Sequence, residues 1–180
     1  MKAKLFNTSV VAFALGAALS VFSAQGADVS STECEQAITS FKNADPGMQN
    51  LIDASAGYAV FPNVGKGGFI VGGARGSGCV FENGKVIGQT TMTQASIGAQ
   101  AGGQSFAEII LFQNQAALDN FKGGNFEMSA GVSGVVASQG ASRTAKYSAG
   151  VAVFTLPKKG LMAEASVGGQ KFTFQPMTTK

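Results

Sequence analysis

The sequence predicts an α+β domain, with N-terminal helices packed on a bent antiparallel sheet or partial β-barrel and one short helix inserted late. Three observations carry that reading. Apolar residues recur at helical spacing between Cys34 and Ala56. From Gly57 onward, short apolar runs are broken by most of the chain's 25 glycines, the punctuation of strands that bend or cross. One further helical stripe, at residues 114–122, interrupts them.

The first 26 residues have the order of a secretory signal. Lys2 and Lys4 precede an apolar stretch from Val10 to Phe22, and the small residues Ser23-Ala24-Gln25-Gly26-Ala27 follow. The apolar run is shorter than the roughly 20 residues that span a bilayer, so cleavage near Gly26 and Ala27 is expected. No Cys stands there to carry a lipid. Residues 27–180 then form a single domain with a periplasmic or secreted location.

In the first helix, Cys34, Ala37, Ile38 and Phe41 fall at i, i+3, i+4 and i+7. Ser30 with Glu33, or Thr32 with Glu35, can form its capping box. Asp45 can cap a second helix with Pro46 at its first position, Met48, Leu51, Ile52 and Ser55 to Ala56 on one apolar face, and its end at Gly57. The period then changes. Tyr58 to Phe61 reads as a strand ended by Pro62-Asn63, Gly68 to Gly72 as a second and Gly76 to Phe81 as a third. Asn83-Gly84 is a strong hairpin signal, with Val86-Ile87-Gly88 returning. Further strand-like runs are Ser96–Ala101, Ala107–Phe112, Phe126–Ala130, Ala149–Leu156, Leu161–Val167 and Lys171–Phe174. The inserted helix is capped by Asn114, faces inward through Ala117, Leu118 and Phe121, and stops at Gly123-Gly124. Ser129 to Ser148 is small and polar, an irregular loop or a pair of weak strands.

Composition excludes several chemistries. The chain has no His, so the usual proton shuttle and the commonest metal ligand are both missing, and no Ser triad can be completed. Gly78 to Lys85 departs from a phosphate loop in spacing, and Val86 stands where a Ser or Thr would meet magnesium. No acidic pair at catalytic spacing is evident. No enzyme, cofactor, metal or nucleic-acid partner is expected. Two Tyr and no Trp leave little to build the girdles of a transmembrane barrel. Cys34 and Cys79 could be bridged in an oxidising compartment or be two buried thiols. Charge is uneven: residues 54–180 hold ten Lys or Arg against five acids, whereas five acids face Lys42 alone in residues 27–53.

Several segments in order resemble one family. Gly57-Tyr58-Ala59-Val60-Phe61-Pro62 and Lys66-Gly67-Gly68-Phe69-Ile70-Val71-Gly72-Gly73-Ala74-Arg75-Gly76-Ser77-Gly78 resemble the opening of the SYLF domain, the lipid-binding and actin-regulating domain of eukaryotic actin-patch proteins. Ile97 to Gln104, Ala116-Ala117-Leu118, Phe121, Gly124-Asn125-Phe126, Tyr147 to Gly150 and Lys159-Gly160-Leu161 continue it. The chain departs in having Asn83-Gly84-Lys85-Val86 where members often carry a Trp after the turn. The resemblance implies a module for phosphoinositides or other anionic lipids, with actin contacts in some eukaryotic members. An exported chain is not expected to meet actin. Separately, Lys66, Arg75, Lys158 and Lys159 sit near glycine- or proline-marked turns, and Arg143 and Lys146 in the polar region, where cations can meet phosphate headgroups. The alternative to lipid binding is a structural or protein-interaction component of the cell envelope.

Overall fold

The computed structural model describes residues 29–67, 71–97, 104–159 and 165–177. The expected signal segment lies outside them. Helix α1 (Ser31–Ala44) begins with the capping box expected at Ser30: its hydroxyl accepts from Glu33 N at 3.2 Å, and the Glu33 carboxylate accepts from Ser30 N at 3.0 Å. Its stripe of Cys34, Ala37, Ile38 and Phe41 is buried as the spacing requires. Helix α2 (Met48–Ala54) is short, capped by Gly47 and already ended at Ser55, two residues before Gly57. Asp45 does not cap it directly. Its carboxylate instead accepts from Gly47 N at 3.0 Å and from Ser142 N at 2.6 Å, so one side chain ties the α1–α2 corner to a segment almost a hundred residues away.

The strands are longer and fewer at the start than the apolar runs suggest. Strand β1 (Gly57–Gly67) does not stop at Pro62-Asn63 but passes through them with a register shift against both neighbours. A bulge needs no ladder hydrogen bond from the proline nitrogen, which is why a proline is tolerated inside a central strand here. Strand β2 (Val71–Glu82) takes in the third expected strand whole, and β3 (Lys85–Ile97) extends well beyond Gly88. Parts of the Gly68–Gly72 and Ser96–Ala101 runs lie outside the described residues. The β2–β3 turn is the hairpin that Asn83-Gly84 announces, with φ of 51° and 72° at its two central residues. At Gly78 a Cβ would press on the Val60 carbonyl oxygen of the paired strand, so glycine alone permits that approach.

Strand β4 (Gln104–Phe112) leads into α3 (Gln115–Lys122), where Asn114 Oδ1 accepts from Ala117 N at 3.0 Å. The remaining strands are β5 (Phe126–Glu127), β6 (Ser133–Val136), β7 (Val151–Lys159), β8 (Ala165–Ser166) and β9 (Lys171–Pro176), with a 3₁₀ turn η1 (Ala141–Thr144) before β7. The Phe126–Ala130 run thus yields two strand residues, and the polar region one strand and one 3₁₀ turn. Most of the Leu161–Val167 run lies outside the described residues.

Among the described residues nine strands form one sheet in the order β5-β9-β3-β2-β1-β4-β7-β6-β8. It is mixed, which corrects the expectation of a purely antiparallel sheet: β6 pairs with β7 in parallel. A parallel pair cannot be joined by a tight turn, and the η1 segment supplies the long crossover. The sheet is also curled. Strands β8 and β9 stand near its two opposite ends, yet only Val167 to Gln170 separate them in sequence, so this crossing brings the ends together. Met128 N donates to Gln170 O and Gly169 N to Met128 O, each at 2.8 Å, fastening the crossing to the end of β5.

Two apolar clusters lie on the two faces. The inner one contains Phe61, Val64, Ile110, Phe112, Phe121 and Phe172, with tilted ring pairs at centroid distances of 4.9 to 5.8 Å. The outer one joins Cys34, Ile38 and Phe41 of α1 and Met48 and Ile52 of α2 with Val60, Ile109 and Phe154 of the sheet. A Cys34–Cys79 disulfide, an S–S bond of 2.09 Å, links α1 to β2 and closes the alternative that the sequence leaves open.

Candidate functional site

Strand register decides which of the candidate cations meet. Glu127, Lys171, Thr93, Arg75, Gly65, Ser105 and Lys159 stand directly opposite one another in a single transverse row across β5, β9, β3, β2, β1, β4 and β7. Lys66 is the next residue along β1, and Lys158 occupies the β7 bulge between Pro157 and Lys159. Four of the six cations singled out from the sequence are therefore gathered at one end of the sheet.

They do not share one face. Arg75, Thr93 and Lys171 are exposed and alternate with the buried Ala74, Met92 and Phe172 of the inner cluster, so they project from the outer face. Lys66 pairs with Ala74 and lies on the inner face, partly covered. Lys158 is exposed and close enough to α1 that its charge helps to hold the Glu33 carboxyl below its ordinary value, after the larger effects of the Ser30 backbone and side-chain hydrogen bonds.

Arg143 and Lys146 are placed elsewhere. Arg143 lines a cleft of about 630 Å³ with Asp45, Gly47, Asn50 and Ser142 at the α1–α2 corner, and Lys146 follows on the same exposed segment. There the Ser142 amide is the main reason the Asp45 carboxyl is held down to about 2. The corner has its own internal electrostatics and is separate from the strand-end row.

Lys171 was not singled out in the sequence as a site residue. Its alternation with Phe172 and Phe174 marks it as outward, but nothing local in the sequence shows that residue 171 pairs with residue 93. Lys171 Nζ lies 3.5 Å from Glu127 Oε2, with both side chains more than half exposed, a pair worth at most about 1 kcal/mol. Beside it a groove of about 410 Å³ is lined by Thr93, Gly124, Asn125, Phe126 and Lys171. The row thus adjoins a recess lined by both polar residues and the aromatic Phe126 and Phe172.

A second polar group lies inside the curl. Glu108 on β4, Thr155 on β7 and Gln170 in the crossing are all fully buried. Gln170 Nε2 donates to Glu108 Oε2 at 3.0 Å, and Gln94 Nε2 donates to Gly168 O at 3.0 Å. Strands β4 and β9 are separated by three strands in the sheet, so the Glu108–Gln170 bond spans the interior. Burial pushes the Glu108 carboxyl up to about 7, against the opposing pull of the Gln170 bond. Among the described residues no group of three or more His, Cys, Asp or Glu could hold a metal ion.

The model of the Ysc84 family, described as a Las17-binding protein actin regulator, matches residues 93–180, beginning at the row residue Thr93. A relative, Beta cell expansion factor A of Aeromonas veronii, is 32% identical over 143 residues, covering 78% of this chain and 54% of its own. The chain belongs to the Ysc84 (SYLF) family. This SYLF chain spans about half the length of that relative. The family is one of non-enzymatic binding domains, lipid-binding or actin-regulating in general. No helix among the described residues of the SYLF chain is long and apolar enough to cross a membrane, a statement that says nothing of strands.

Proposed function

We propose that this SYLF chain is an exported, non-enzymatic protein that docks on anionic lipid, with the strand-end row as its contact surface. The observation that carries the reading is the register that brings Lys66, Arg75, Lys158, Lys159 and Lys171 to one end of the curled sheet. Cations near an anionic membrane surface contribute about 1 kcal/mol each and lose it as salt shortens the Debye length to about 10 Å at 0.1 M. Individually these side chains are weak contacts; side by side they add. Phosphate-bearing headgroups are the ligand class, and periplasmic or extracellular membrane surfaces are where the chain would meet them.

The test is cosedimentation of residues 27–180 with vesicles of phosphatidylcholine alone and of phosphatidylcholine with phosphatidylglycerol, at low and high salt. Binding that depends on the anionic lipid and falls with salt is expected. Equal recovery with both vesicle types at low salt overturns the reading.

A further inference from the structure

The buried polar group inside the curl has too few donors. Glu108 Oε1, Thr155 Oγ1 and Gln170 Oε1 are each buried without a hydrogen-bond partner. Two of the three are pure acceptors in the ionised, unflipped state, and orphaned acceptors in an apolar interior cost roughly 1 to 3 kcal/mol each. A proton on Glu108 changes the count. The acid O–H becomes a donor, and its cross-strand neighbour Thr155, directly opposite in register, brings a hydroxyl that can donate or accept. Protonated, the group can satisfy itself; ionised, it leaves a buried charge and, even with the Thr155 hydroxyl donating, at least one acceptor without a donor.

Position gives that proton a mechanical consequence. Gln170 is the last residue of the Val167–Gln170 crossing, and its side chain is held by Glu108 while its carbonyl accepts from Met128 N. The crossing joins the two ends of the sheet. We propose that Glu108 is a proton-operated latch: as the acid it holds the crossing closed over the inner cluster, and on ionising it loosens the crossing to admit water to the carboxylate. The Gln170 amide still favours the charged form locally, so loosening occurs by hydration of the charge rather than by loss of that bond.

The groups facing Glu108 are consistent with this assignment. β1 presents Phe61 opposite it and, nearer the strand ends on the same face, Lys66. β7 presents Thr155, β3 presents Gln94, and the crossing presents Gln170. Farther along the same face Glu82, two residues beyond the inner-cluster Val80, is held by Lys122 and Gln115 of α3. Lys171 and Glu127 lie on the opposite face.

Amide hydrogen exchange of the disulfide-bonded protein without lipid tests the latch. Protection of the Met128 and Gly169 amides, corrected for intrinsic base catalysis, should fall ten- to a hundredfold between about pH 5.5 and pH 8, while the β1–β2 ladder changes little. In Glu108→Gln the fall should disappear. Unchanged protection in the unaltered protein, or an equal fall in the variant, overturns the proposal. Should the variant fail to fold, infrared spectroscopy of the unaltered protein decides: the carbonyl stretch of a protonated carboxylic acid must persist at pH 6 and vanish by pH 8, and its absence at pH 6 overturns the latch. Neither readout involves lipid, so their failure is distinguishable from failure of membrane docking.

Discussion

Asp45 and Glu108 are both acidic and both nearly fully enclosed, yet their surroundings push them in opposite directions. Asp45 accepts backbone hydrogen bonds from Gly47 and Ser142, which stabilise its charged form; Glu108 meets one amide donor in an apolar interior. The signs follow by linkage. Asp45, lowered from 3.8 to about 2, contributes stability that is present above the unfolded value and is lost as pH falls from about 4 to about 2. Glu108, raised from 4.5 to about 7, withdraws stability as pH rises through that interval, by about 3 kcal/mol when complete. Urea denaturation should therefore give greatest stability between about pH 4 and pH 5 from these two groups. Glu108→Gln should gain about 3 kcal/mol over the parent at pH 8 and little at pH 4. Asp45→Ala should lose about 2 kcal/mol at pH 7, because the Ser142 amide is left without its acceptor. A parent protein whose stability climbs steadily from pH 4 to pH 8 would contradict the Glu108 assignment.

At the scale of elements, the disulfide between α1 and β2 closes a separation of 45 residues, and such a loop is worth about 4 kcal/mol through the unfolded chain. Cys34→Ala with Cys79→Ala should lower the urea midpoint accordingly, and a reductant should do the same to the parent alone. The bridge was open in the sequence because pairing depends on where α1 is set down on the sheet, which spacing does not encode. The helices themselves were legible: the Cys34 to Phe41 stripe, the Ser30–Glu33 box and the Asn114 cap are local patterns, settled within one or two turns. So was the Asn83-Gly84 hairpin. Strand ends were not, since Pro62 looks like a terminus until partners on both sides absorb it in a bulge. The parallel β6–β7 pair was hidden because small residues in 129–148 carry no periodicity. The cations of the candidate site were readable as residue types, but the turns expected to carry them were not there. Lys66, Arg75, Lys158 and Lys159 lie within β1, β2 and β7, because glycine and proline beside them are absorbed into long paired strands. Nor was their division readable, because Lys171 joins the row and Arg143 leaves it through pairings between distant positions.

For the whole molecule, that division makes a sharp expectation about how the chain sits on a surface. The strand-end row and the α1–α2 corner carry cations on separate parts of the fold, and Arg143 shares its cleft with Asp45, whose charge is retained at neutral pH. A flat membrane cannot engage both with equal strength, and the row carries more cations than the corner, with Glu127 beside Lys171 and Glu33 near Lys158. Reversing Arg75 and Lys171 to Glu changes the local charge by four units on one face and should weaken binding to anionic vesicles by at least tenfold at low salt, since two lost contacts at about 1 kcal/mol each are joined by repulsion. Reversing Arg143 and Lys146 makes the same change in net charge. If long-range attraction to the whole protein were responsible, the two double variants would bind equally poorly; if the row is the contact surface, the corner variant should stay within about threefold of the parent. Cosedimentation of the two double variants side by side, with circular dichroism to show that both remain folded, separates a docking face from a diffuse charge, and equal losses would rule the row out as the contact surface.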